Sequence, residues 1–143
     1  MKHISFDPRF VDSKKGDLIS GKIHTIRQNY NFWKRFEGKE VALFTWKGKP
    51  YQKGSKHKVF CIKRIVSVQM LYLRRVVRHL VSNEDGILAF LLDDKWIQLD
   101  SQLAENDGFI NSDGIIDTGA FRKWFTDYKS GKMAIIHFTD FIY

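Results

Sequence analysis

The sequence predicts an α+β domain, a small β-barrel flanked by short helices, and three observations carry that expectation. Segments rich in Val, Ile, Phe and Tyr outnumber helical patterns along the chain. Turn-like stretches of Gly, Asn, Asp and Lys divide those segments into short pieces, which suits a sheet folded back on itself. At 143 residues, 43% hydrophobic and 28% charged, the chain is one domain with enough apolar surface for a core.

The elements follow in order. Residues 3–6 read as a short strand. Residues 8–20 read as a helix stopped by Gly21, since glycine takes the left-handed cap conformation without steric cost. Thr25-Ile26-Arg27 opens a strand, and 29–36 is a loop or a short turn of helix. Residues 41–46 form a strand, and a basic, turn-rich loop runs from 47 to 55. Partial alternation and β-branched content predict one long strand over 58–73, whereas 74–81 fits strand or short helix. Residues 87–92 and 95–99 flank Asp93-Asp94 as a hairpin. A short helix covers 100–106. Thr118 caps a second helix through Lys129, ended by Gly131, with Phe121, Trp124, Phe125 and Tyr128 on one stripe. Residues 133–138 are the closing strand.

The net charge of +8 is unevenly spread. Residues 1–80 carry 19 Lys and Arg against 5 Asp and Glu, a net of +14, and residues 81–143 carry 5 against 11. A half this basic favours a phosphate-rich partner, RNA or a nucleoside or nucleotide, over a protein-interaction module. The longest apolar run, 87–92, is far short of the roughly 18 residues of a membrane span. The first ten residues lack the apolar stretch of a secretory leader, so a cytoplasmic protein with no membrane partner is expected. Cys61, the one cysteine, sits in an apolar pattern and reads as a small buried thiol. The five histidines show no paired ligand spacing, so neither metal nor cofactor is expected.

The densest chemistry lies in Ser20-Gly21-Lys22-Ile23-His24-Thr25-Ile26-Arg27. Arg27 presents a planar fork that suits phosphate, or an internal ion pair with Asp7 or Asp140. His24 could donate to a phosphate or exchange a proton near neutral pH, or it is a packing residue. Residues three apart on a strand point to opposite faces, so Lys22 and Thr25 meet only across a bend at Gly21 or Ile23. Residues 29–36 set Trp33 and three other aromatic rings beside Lys34 and Arg35, a mixture that can stack on bases and hold a backbone, or plug one end of the core.

Four stretches carry a family resemblance: Ile4-Ser5-Phe6-Asp7-Pro8-Arg9-Phe10-Val11, Gly21-Lys22-Ile23-His24-Thr25-Ile26-Arg27, Leu103-Ala104-Glu105-Asn106-Asp107-Gly108-Phe109 and Ile136-His137-Phe138-Thr139-Asp140-Phe141-Ile142-Tyr143. Together they resemble the ASCH domain, a PUA-like β-barrel, and are similar to the small ASCH proteins of Bacteroides-type bacteria and their phages. The resemblance implies a cleft that takes RNA or a modified nucleoside; it is expected to be built around Lys22, Thr25 and Arg27, with His24, Trp33, Lys34 and Arg35 as further nucleic-acid contacts read from the residues themselves. In some small members the implied activity is an amidohydrolase acting on N4-acetylcytidine, and in others a ribonuclease; a phosphodiesterase here would use Lys22 and His24 for proton transfer. For the amidohydrolase, Thr25 matches the nucleophile and Lys22 its base. The acid is a glutamate in those members; Asp107 stands at the matching position and Glu105 is the nearby substitute.

Overall fold

Gly16 turns the chain between two short strands, and Gly48 and Gly54 lie between two long ones, each at positive φ. The computed structural model describes residues 1–76, 87–92, 95–96, 100–125, 128 and 131–143. Its elements run β1 (Lys2–Ser5), a 3-10 turn at Pro8–Phe10, β2 (Val11–Asp12), β3 (Asp17–Leu18), β4 (His24–Gln28), α1 (Tyr30–Lys34), β5 (Glu40–Lys47), β6 (Lys56–Arg64) and β7 (Ser67–Val76), then β8 (Ile87–Leu92), β9 (Lys95–Trp96), α2 (Asp100–Asn106), α3 (Thr118–Trp124) and β10 (Gly131–His137). The fold is α+β and rich in sheet. Among the described residues the strands make three sheets, β1-β5-β6, β4-β10-β7-β8-β9 and the small ribbon β2-β3, and no closed barrel is found.

The helix expected over 8–20 is replaced by that ribbon. Asp12 Oδ1 accepts from the backbone amides of Lys14 and Lys15 at 3.1 and 3.2 Å, and Gly16 N donates to Asp12 O with φ +63°. An aspartate that closes a local turn in this way competes directly with helix. Phe10 and Leu18 are buried on either side of the turn. Gly21, at φ +88°, therefore caps no helix; it turns the chain so that Lys22 N donates to Ile19 O.

The single strand expected over 58–73 is two strands in different sheets. Ile65 N donates to Lys39 O, and Val66 N donates to His137 O, so consecutive amides feed the two sheets. Ile65 is fully buried at this corner while Val66 is exposed. Strand composition persists through such a corner, which is why the break is invisible to periodicity. Cys61 next to it is half-buried; burial pushes its thiol up to about 11, so a reactive thiolate is not available.

β10 is the middle of the core. Ala134, Ile135 and Ile136 are fully buried, and β10 pairs antiparallel with β4 on one side and β7 on the other. Phe121 and Phe125 from the α3 region and Trp33 from α1 join the same core, each large ring adding about 1.5–3 kcal/mol by burial. The cap of α3 is Asp117, whose Oδ1 accepts from Ala120 N at 2.9 Å, rather than Thr118. Gly131 opens β10 rather than ending the helix. Residues 74–76 continue β7 and β8 pairs with β9. The expectations for 77–81, Asp93-Asp94, 97–99 and residues 126, 127 and 129 lie outside the described residues. No helix among the described residues is long and apolar enough to cross a membrane.

Candidate functional site

The local sequence Leu103-Ala104-Glu105-Asn106-Asp107-Gly108-Phe109 ends α2 in a glycine cap. Gly108 N donates to Glu105 O at 3.0 Å and Phe109 N to Ala104 O at 2.9 Å, with Gly108 at φ +86°. This six-to-one and five-to-two pairing is the Schellman arrangement, and it fixes Asp107 as the last residue of the turn. A second reason for glycine is contact: a Cβ there would lie 3.0 Å from Lys22 Cδ and 3.1 Å from Lys22 Cβ. The stem of Lys22 thus lies on bare backbone, which lets its ammonium reach Asp107.

Lys22 precedes β4, held out of the strand because Ile23 N donates to Asn106 O at 2.9 Å. The bend that Lys22 and Thr25 need is therefore present, and both line one recess with Arg27, Asp107, Phe6 and Phe10. Lys22 Nζ donates to Asp107 Oδ1 at 2.8 Å and to Asp107 O at 2.5 Å, and lies 4.5 Å from the Phe10 ring centroid. Burial lowers the affinity of Lys22 for its proton, opposed by the Asp107 charge. Burial alone would raise Asp107, but Lys22 and His24 outweigh it and hold the carboxyl below its ordinary value. The recess has a volume of about 30 Å³, the share of a single water, and does not hold a nucleoside as it stands.

His24 points away from this recess. It is fully buried, with Nε2 2.6 Å from Tyr143 Oη and Nδ1 3.5 Å from Asp107 Oδ1. Asn106 Nδ2 donates to the same Tyr143 oxygen at 3.0 Å. His24 Nδ1 is buried without a hydrogen bond among the described residues, and the tautomer sets which of Nε2 and the Tyr143 hydroxyl donates. Burial lowers the pKa of His24, opposed by the Asp107 carboxylate. It faces neither cavity, so it touches no ligand directly.

Arg27 faces both. Its Nη2 donates to Ser5 O, and its guanidinium carbon lies 5.3 Å from the Phe6 ring centroid. Its Nε is buried without a partner among the described residues. The ion pair with Asp7 or Asp140 is not formed; Asp7 pairs with Arg9 at 3.4 Å instead. Beyond Arg27 opens a cleft of about 800 Å³ between β1, Trp33 and the β5–β6 hairpin. That volume is in the range of small-molecule sites.

Set against family models, curated proteins and solved structures, the chain matches none of them.

The remaining expected residues divide. Glu105 is exposed on α2 and Asp107, not Glu105, is the carboxylate that meets Lys22. Trp33 is buried and contributes to the wall of the large cleft. Lys34 pairs with Glu37 at 2.6 Å, and exposed Arg35 lies over Phe32 at 5.1 Å. Neither lines the cleft. Its outer wall comes from Phe44, Trp46, Tyr51 and His57, none of which was singled out as an aromatic site from sequence. The signal was present: Phe44 and Trp46 are two apart on a strand and so share a face. Among the described residues no group of three or more His, Cys, Asp or Glu is placed to hold a metal ion.

Proposed function

We propose that this chain is an RNA- or modified-nucleoside-binding domain of the PUA-like ASCH type, with Arg27 holding an anionic group at the floor of the large cleft. The observation that carries this reading is Arg27 itself: a guanidinium with a buried unpartnered Nε and no carboxylate partner among the described residues, opening onto a cleft of ligand size. Arg27 makes no direct ion pair, and only the charge of Asp107 across the recess acts on it, so a phosphate bonded to the guanidinium would supply the direct counter-charge it lacks. The basic first half supports a polyanion, and the motif around Lys22 supports the family. On this reading the protein works in the cytoplasm. Fluorescence anisotropy of a labelled single-stranded RNA tests it: the wild type binds at low salt, and Arg27→Ala weakens binding at least tenfold while melting at a similar temperature.

A second reading, the amidohydrolase, is favoured by the shared recess of Lys22, Thr25 and Asp107. There Lys22, once it has given up the proton it shares with Asp107, would take the proton of Thr25 Oγ as that oxygen attacks the amide carbonyl carbon; the C–N bond would then break with a proton returned from Lys22 to the leaving amine, and water would release acetate from Thr25. Asp107 is one methylene shorter than the family's glutamate, and the recess must widen to admit an acylated base. Incubation with N4-acetylcytidine decides it: release of acetate that disappears in Lys22→Ala is the positive result, and no release from the wild type ends the reading.

A further inference from the structure

We propose that the β5–β6 hairpin carries a base-stacking seat, built from Trp46, Tyr51 and His57, that takes one unpaired base of single-stranded RNA; the inference rests on the nucleic-acid reading above. His57 lies directly opposite Trp46 in the β5–β6 register, and its ring stacks on Phe44 at 3.7 Å and 17°. The Trp46 ring stands edge-on to His57 at 4.5 Å, and Tyr51 leans against Trp46 at 5.0 Å and 56°. These rings form a stepped wall with Phe44 and His57 inside and Tyr51 outside.

Two features mark the wall as a binding surface rather than stray core. Tyr51 is 88% exposed, so its ring gains almost nothing from burial. It also sits at φ +59°, in the left-handed region that a bulky residue adopts only under constraint. The loop thus holds a large aromatic face at the mouth of the cleft at a cost in local strain. A flat ring of matching size, seated against Trp46 and Tyr51, covers that face and recovers the stacking.

The surrounding charge selects the kind of ring. Residues 47–58 hold Lys47, Lys49, Lys53, Lys56 and Lys58 and no acidic residue. These lysines are exposed, and none is ion-paired among the described residues. Lys49 and Lys53 lie in the same connection as Tyr51, whereas Lys47, Lys56 and Lys58 alternate to the sheet face opposite Trp46 and His57, so the hairpin is basic on both faces. Arg27 in the cleft, with Lys49 and Lys53 beside Tyr51 in the connecting loop, offers positive charge on two sides of a base at the wall.

The test measures binding of an eight-nucleotide oligouridylate and of uridine monophosphate at low salt to the wild type, Trp46→Ala, Tyr51→Ala and Trp46→Phe. Each alanine variant is expected to weaken the oligomer about 5- to 150-fold, the range for one stacked base, and Trp46→Phe to retain most of the affinity. The exposed Tyr51 can be removed without touching the core, so a loss in Tyr51→Ala with an unchanged melting temperature cannot be misfolding. Alanine variants that bind the oligomer as well as the wild type overturn the seat while leaving the nucleic-acid reading intact. Uridine monophosphate binding as tightly as the oligomer overturns the RNA assignment in favour of a free nucleotide. A wild type that binds neither overturns the underlying reading itself.

Discussion

Asp107→Ala is expected to destabilise the fold by about 3–5 kcal/mol, because it strands the buried Lys22 ammonium without its counter-charge. Lys22 and Asp107 are 6% and 5% exposed, so water cannot replace the lost carboxylate. The Phe10 face and the Asp107 carbonyl remain as partners, but neither carries a full charge. The same logic makes the double variant informative. Lys22→Met with Asp107→Leu removes both charges and is expected to recover most of the stability that Asp107→Ala loses. Chemical denaturation midpoints at constant slope measure both. A single variant within about 1 kcal/mol of wild type would mean that Lys22 sheds its proton or swings to solvent.

Acid should unfold the protein early, well above the carboxylate range. His24 and His137 are both fully buried. Burial, with the neighbouring His24, pushes His137 down to about 4 from an ordinary 6.5. Burial likewise lowers His24. The unfolded chain therefore binds more protons than the folded chain between about 4 and 6.5. Stability rises with pH across that window, is complete above it, and is lost as pH falls through it. The lowered Asp107 adds a further loss at still lower pH, when its carboxylate protonates. Melting temperatures read from pH 7.5 down to 4.5 at fixed ionic strength should fall steadily, and His137→Gln should flatten the fall. A melting temperature that does not change across this range contradicts the lowered proton affinity of the two buried rings.

Local chemistry was the legible part of the sequence. The strands around residues 3, 25, 44 and 135 and the short helix over 100–106 each follow from propensity and turn residues within a few positions. The failures are of two kinds. At 8–20 a local competitor won: Asp12 offered two backbone amides a turn, and a helix-like composition became a ribbon. At Ile65-Val66 and in the open sheets the deciding partners are distant, Lys39 for one amide and His137 for the next, and no periodicity encodes them.

The site divides in the same way. The bend that brings Lys22 and Thr25 to one recess was expected at Gly21 or Ile23, and Asp107 was named only through the family resemblance. What composition could not show was that Asp7 would turn to Arg9 and leave Arg27 without its expected partner. Nor could it show that His24 would be spent on Tyr143, 119 residues away. The aromatic wall was written in the alternation of Phe44 and Trp46, but the aromatic run at 29–36 drew the assignment, and of its rings only Trp33 reaches the cleft.

The salt dependence of single-stranded RNA binding by wild type and Arg27→Ala is the most direct test of the Arg27 cleft. From roughly 50 to 200 mM salt, the logarithm of the affinity should fall linearly for the wild type. Loss of one buried phosphate contact in Arg27→Ala should weaken binding at every salt concentration and make that slope shallower by about 1. Affinities and slopes that coincide for the two proteins, or a wild type that fails to bind at the lowest salt, would contradict a phosphate seat at Arg27.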